Sequence, residues 1–338
     1  MRRQYYRGRR RSGAVNPLVI LVAVILLLAV VWLISGALHG DEETPAGPDT
    51  PSAGETTPAE PGQNGETVPE EEKEEPATES GISCTLTELG KNAVRTGDLI
   101  LVNNQVHYQF PEEQPLVCIY EEKSSSYIVA RTDIYLDPVA MDALDDMMND
   151  FREQGGSKTV NVVAGYRTAE FQQHLFDQSA ARNGLEHAQK YVAQPGGSEH
   201  HTGLVVDFSI LNTDGTSQDF SGTGEYAWIT EHCHEYGYVV RYEEGKELYT
   251  GIWDEPWHFR YLGPVHASEI RKQGMCLEEY IDFLKEFPFE EEHLTIECDE
   301  GTYEVWYCKG TKAWLPDSGE YTVSGNNVDG IIVTYKVD

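Results

Sequence analysis

Gly196-Gly197-Ser198-Glu199-His200-His201-Thr202-Gly203-Leu204-Val205-Val206-Asp207 is the most informative stretch of this chain. Gly203 permits a tight turn, and the apolar run from Gly203 to Ile210 reads as a strand. His200 at the mouth of that strand and Asp207 seven residues later bring one nitrogen and one oxygen ligand towards a single metal ion. Two ligands do not make a site. A third comes from Asp254-Glu255-Pro256-Trp257-His258-Phe259-Arg260-Tyr261, where His258 follows Glu255, a carboxylate free to act as a base on water at the metal. Zinc suits two imidazoles and one carboxylate with a fourth position left open.

Outward from these two stretches, apolar runs alternate in type. Leu99–Val102, Val117–Tyr120 and Tyr127–Ala130 read as short strands. Asp137-Pro138 supplies an N-cap and first-turn proline for a helix carrying Leu144, Met147, Met148 and Phe151 until Gly155-Gly156 stops it. Val160–Ala164 is a buried strand, and Thr168 caps a second helix ending near Gly184. Further strands are expected at Tyr238–Tyr242, Tyr249–Trp253 and His258–Tyr261, with helices at Glu225–Tyr236, Pro264–Gln273 and Leu277–Leu284. Mixed order with helices grouped early predicts an α+β fold.

Four blocks in a fixed order carry a family resemblance: Ala164-Gly165-Tyr166-Arg167; Ser198-Glu199-His200 through Gly203 to Asp207; Gly237-Tyr238-Val239-Val240-Arg241-Tyr242; and Thr250-Gly251-Ile252 running into Glu255-Pro256-Trp257-His258. Together they resemble the VanY-type zinc D-alanyl-D-alanine carboxypeptidases, which trim the C-terminal D-alanine from cell-wall stem peptides. The resemblance runs from Leu99 to Phe287. It implies a zinc D-Ala-D-Ala carboxypeptidase-like domain with an antiparallel sheet, Zn2+ held by His200, Asp207 and His258, Glu255 as catalytic base, and Arg167 facing substrate. A guanidinium matches a terminal carboxylate with two prongs, as a lysine does not. Ser198 and Gln172 are expected as supporting donors, and Trp257 and Tyr261 as walls of the cleft. Ala164 stands where the family commonly has a serine, His201 where it has a glutamine, and Val205 where it has a small residue; none of these removes a ligand. His201, next to a ligand, is expected to point to the opposite face of extended backbone. An L,D-carboxypeptidase of the same fold acting on tetrapeptide stems, and a non-catalytic wall-binding domain, are the competing readings.

Charge divides the rest of the chain. The net charge of −32 excludes a phosphate-neutralising surface and hence a nucleic-acid partner. Residues 1–11 hold six arginines and no acid, whereas residues 41–80 hold thirteen acids against Lys73. Between them Leu18–Ile34 is wholly apolar and, at about 1.5 Å per residue, long enough to cross a bilayer core as a helix. The arginines before it orient the N-terminus to the cytoplasm. A cleaved signal peptide is the alternative, against which the apolar run is longer than the usual 7–15 residues. The expected organisation is therefore a basic cytoplasmic arm (1–16), a transmembrane helix (17–38), a disordered acidic Pro/Glu/Thr-rich linker (39–80), the zinc carboxypeptidase domain (81–290, family core about 99–287) and a small C-terminal β appendage (291–338). That describes an enzyme on the outer side of a cell membrane, in a Gram-positive bacterium, whose partners are peptidoglycan stem peptides and the membrane; no protein partner is implied.

All six cysteines, Cys84, Cys118, Cys233, Cys276, Cys298 and Cys308, follow the apolar run, which fits an oxidising exterior. Sequence leaves the pairing open. Cys298 with Cys308 is the nearest guess, because they flank a turn at Asp299-Glu300-Gly301. His232-Cys233-His234 has metal-ligand residue types, but on a helix their side chains diverge by about 100° and no second site is expected.

Overall fold

The computed structural model describes residues 81–337, so the expected arm, membrane span and linker lie outside the described residues. Among the described residues no helix is long and apolar enough to cross a membrane.

Strand β1 (Cys84–Glu88) comes first. Leu99–Val102, expected as a strand, is buried but is not one: its backbone is satisfied by side chains and loops, with Ile100 O accepting from Arg260 and Leu101 N donating to Asn326 O. Three two-residue strands follow, β2 (Val117–Cys118), β3 (Ile128–Val129) and β4 (Tyr135–Leu136), with one helical turn, α1 (Ile119–Glu122), where the strand expected to reach Tyr120 breaks off. Helix α2 (Pro138–Glu153) begins as its sequence directs. Asp137 accepts from Val139 N and Pro138 occupies the first turn, where its missing N–H costs nothing. Its Leu144, Met147, Met148 and Phe151 are buried.

After β5 (Val160–Ala164), Thr168 caps α3 (Ala169–Asn183), and Gly184 separates it from α4 (Leu185–Tyr191). Strands β6 (Val205–Leu211) and β7 (Ser217–Asp219) come next. The helix expected over Glu225–Tyr236 is instead α5 (Ala227–His232) flanked by 3-10 turns at Gly224–Tyr226 and Cys233–Tyr236. Then comes β8 (Tyr238–Tyr242). The strand expected at Tyr249–Trp253 is replaced by α6 (Glu247–Thr250), which ends on left-handed Gly251. Strand β9 (Glu255–Tyr261) and helices α7 (Pro264–Gln273) and α8 (Leu277–Leu284) complete the part that carries the sequence motifs. The tail is all strand: β10 (Leu294–Cys298), β11 (Gly301–Lys309), β12 (Lys312–Pro316), β13 (Tyr321–Gly325) and β14 (Gly330–Lys336).

The central sheet has the order β3-β5-β6-β9-β8, with β7 on the far end of β6. All its pairings are antiparallel except β3 with β5, so the expected antiparallel sheet carries one parallel edge. The apolar side of α2 packs on it with Val160, Val206, Phe208 and Phe259. Each such side chain contributes about 1.5–3 kcal/mol on burial, which anchors the sheet under the site it carries. A second core, including Leu262, Ile270, Ile281, Leu294 and Val305, joins α7 and α8 to the tail strands.

In the tail the order is β10-β11-β14-β13, while β12 pairs with β1. Cys298 lies opposite Gly301 across a tight hairpin, and Cys308 lies opposite Ile331 seven residues further along β11. The two thiols therefore sit at opposite ends of the hairpin and the expected bridge does not form; all six cysteines are unpaired.

Candidate active site

Two features of the central sheet gather the charged side chains. Asp207 on β6 and His258 on β9 are directly opposite each other in the register, which sets their side chains side by side. Irregular pairing flanks both: Ala164 rather than Val163 faces Asp207, and between Val240 and Tyr242 on β8 the partner on β9 jumps from Phe259 to Glu255. A bulge re-aims a side chain, and this one lets Glu255 and His258 approach the same point although strand alternation over three residues would separate them.

His200 arrives from a 3-10 turn, Glu199–Thr202, that ends on Gly203 at φ 76°. A Cβ on Gly203 would clash only with a terminal methyl of Leu116, which can shift, so it is the left-handed φ that favours glycine here. His200 Nδ1 lies 2.6 Å from Gly165 O, to which it donates, leaving Nε2 as the free nitrogen 3.2 Å from Asp207 Oδ2. His258 Nδ1 lies 3.2 Å from Asp207 Oδ1 and 3.4 Å from Glu255 Oε2. Ligand atoms of His200, Asp207 and His258 all fall within 4.8 Å of one another, and this is the only group of metal-type ligands among the described residues.

These residues fit a divalent cation. Asp207 Oδ1 is buried without a hydrogen bond, 3.2 Å from His258 Nδ1, a nitrogen of metal-binding type. Burial alone would raise the Asp207 carboxyl, but His200, His258 and Arg167 hold it well below its ordinary range. Burial, reinforced by Arg167, pushes His200 down to about 4, so this ring is a neutral donor. His258 is opposed by burial yet raised well above its ordinary value by Asp207, Glu199 and Glu255. Three carboxylates around one imidazole hold a positive charge at that spot, which is where a cation would replace the proton. Burial raises Glu255, and His258 only partly offsets it.

The group opens on a cleft of about 390 Å³ lined by Arg167, Gln172, Ser198, Tyr242, Glu255 and Trp257 among others. Arg167 Nη2 donates to Asp207 Oδ2 at 2.8 Å and its Nη1 to Gln172 Oε1 at 3.4 Å, leaving further N–H donors for the cleft. Gln172 is tied down in turn by a 2.8 Å bond to Ala193 O. Tyr261 is a correction: it lies in the core edge-to-face against Tyr238, away from the cleft. His201 also differs in its reason. It sits in a 3-10 turn rather than extended backbone, and both ring nitrogens are used, on Arg167 O and Gly196 N. His232 pairs with Glu235 at the helix surface and does not join Cys233 and His234 in a metal-type group.

Arg241, Arg260 and Glu278 were not singled out by sequence, yet they form a buried network behind His258. Arg241 and Arg260 both donate to Glu199 Oε1 at 2.9 Å, and Arg241 forks onto both oxygens of Glu278 at 2.7 and 2.9 Å. Burial opposes the charge on Glu199, but the two guanidiniums hold its carboxyl well below the ordinary range. The available signal was an arginine inside each apolar strand, at Val239-Val240-Arg241-Tyr242 and Phe259-Arg260-Tyr261, since a charge buried in a strand demands a partner.

Comparison with known proteins gives a consistent result. The family model VanY, D-alanyl-D-alanine carboxypeptidase, matches residues 133–264. A D-alanyl-D-alanine carboxypeptidase of Enterococcus faecium is 31% identical over 283 residues, spanning 80% of this chain and 85% of that protein. The bifunctional D-Ala-D-Ala dipeptidase and D-Ala-D-Ala carboxypeptidase VanXYC of Enterococcus gallinarum is 36% identical over 155 residues, 45% of this chain and 80% of its own length. The solved structure of the vancomycin resistance D,D-dipeptidase VanXYg with a D-Ala-D-Ala phosphinate analog is similar at a TM-score of 0.66 and 30% identity, covering 75% of this chain and 98% of that one.

Proposed function

The chain belongs to the VanY family of D-alanyl-D-alanine carboxypeptidases, and from that premise we propose that it removes the C-terminal D-alanine from peptidoglycan stem peptides with zinc held by His200, Asp207 and His258. The observation that carries this reading is the convergence of those three ligands with Glu255 in a cleft that also presents Arg167. A zinc ion there would act as a Lewis acid on the scissile carbonyl and lower the pKa of water to about 7.

The chain's own residues supply the remainder. Glu255 takes a proton from the attacking water and returns it to the leaving amine as the peptide C–N bond breaks; its burial raises its basicity for that task. Arg167, braced by Asp207 and Gln172, keeps N–H donors free for the substrate's terminal carboxylate. Ser198 and Trp257 line the cleft and confine the peptide. In this reading residues 17–38 anchor the enzyme with its catalytic part outside the cell, supported by the apolar run Leu18–Ile34 between six arginines and an acidic stretch.

The test is mass spectrometry of products from a pentapeptide stem ending in D-Ala-D-Ala and from the corresponding tetrapeptide. Loss of one D-alanine from the pentapeptide is expected. Release from the tetrapeptide alone would replace the D,D assignment with an L,D one.

A further inference from the structure

We propose that Glu199 is a positioning residue for His258, accepting a hydrogen bond from Nε2 so that Nδ1 is presented to the metal; this rests on the zinc reading above. Glu199 stands next to His200 in sequence, but its side chain is fully buried and is not among the residues lining the cleft. Its Oε1 is occupied by Arg241 and Arg260. Its Oε2 and His258 Nε2 face each other at 3.6 Å, and both are buried with no hydrogen-bond partner. An imidazole that gives its Nδ1 lone pair to a metal must carry its proton on Nε2, and in a dry interior that N–H requires an acceptor. Glu199 Oε2 is the acceptor at hand.

The two arginines fix the orientation of the carboxylate. Arg241 forks onto Glu278 of α8, which is steadied by Asn103 Nδ2 at 3.1 Å, and Arg260 Nη2 donates to the carbonyls of Asp98 and Ile100. Two glutamates neutralise two arginines, and the free oxygen of Glu199 faces the ring. His258 thus lies between two carboxylates with separate tasks: Glu255 near Nδ1 on the cleft side, and Glu199 near Nε2 on the core side.

The test measures the zinc Kd of the full-length chain by competition with a chromophoric chelator. Glu199→Gln should weaken zinc binding about 10–100-fold and lower kcat with little change in KM. Glu278→Gln, one step further from the ring, should weaken it less. A role in packing alone would lower the melting temperature and leave the zinc Kd where it was, so an unchanged Kd in folded Glu199→Gln overturns the proposal. Should that variant not fold, the zinc-loaded wild type with 15N-labelled histidines answers by NMR. A His258 ring bound through Nδ1 with a slowly exchanging Nε2–H supports the proposal, and one bound through Nε2 overturns it. Wild type that takes up no zinc overturns the parent reading as well, which separates the two failures.

Discussion

Strands β6 and β9 of the central sheet bury Asp207, His258 and Arg260, whereas β11 and β14 of the C-terminal sheet bury Val305, Trp306, Ile331, Ile332 and Val333. These four strands are of similar length, seven to nine residues, so the contrast lies in what the inward positions hold. Charge inside a protein is costly unless every group is partnered, and breaking one buried pair typically costs about 3–5 kcal/mol. The central sheet accepts that liability and distributes it over the network from Glu278 through Arg241, Glu199 and Arg260. The C-terminal sheet carries none of it in these positions, and its Trp306 satisfies its one polar atom on Trp314 O at 3.0 Å. The buried charge network thus belongs to the central sheet, which keeps an apolar core of its own beside it.

The largest expected effect tests the central sheet. Glu255→Ala should lower kcat by about 10²–10⁴-fold while the protein retains its zinc, measured by turnover and metal analysis on the same sample. Retained turnover would assign the base elsewhere. Trp306→Ala should do the converse: about 3–5 kcal/mol of stability lost in denaturant unfolding, with kcat per folded molecule little changed. A fall in kcat to match that of Glu255→Ala would erase the division between the sheets.

A smaller effect concerns the seam joining α7 and α8 to the tail. His266 is buried between Tyr280 Oη and Thr334 Oγ1, each at 2.8 Å, and burial lowers its pKa to about 3. The unfolded chain takes up a proton near pH 6.5 that the folded chain refuses. The stability held by the neutral ring is therefore complete above that pH and lost as pH falls towards 3. Between pH 7 and pH 5 the loss is about 2 kcal/mol. His266→Gln should flatten that slope in unfolding curves taken across the range; an unaltered slope would show that the ring is not held neutral.

Much of the central sheet was legible because its signals are local. Asp137-Pro138 and Thr168 cap their helices as their chemistry requires, and Val160–Ala164 forms the predicted strand. The residues proposed as ligands stand out in the sequence by spacing and block order, and the structure brings His200, Asp207 and His258 together with Glu255. What local pattern does not carry is the identity of a distant partner. Leu99–Val102 has the apolar run of a strand, but its carbonyls meet Arg260 and Asn327 side chains instead of a neighbouring strand. Tyr249–Trp253 has strand-like residues, but Gly251 in the left-handed region ends a helical turn there. Tyr261 follows the motif in sequence, yet strand geometry sends it into the core. Cys298 and Cys308 flank a turn, but a tight register places them at opposite ends of the hairpin.

His200, Asp207 and His258 are proposed to hold one zinc ion on which turnover depends. The direct measurement is D-alanine release from a D-Ala-D-Ala-terminated stem peptide by the full-length protein as isolated, after chelation, and after zinc is restored. One zinc per chain is expected, with loss of release on chelation, recovery with zinc in the wild type, and no recovery in His200→Ala. Full release by the chelated, metal-free protein would contradict this expectation.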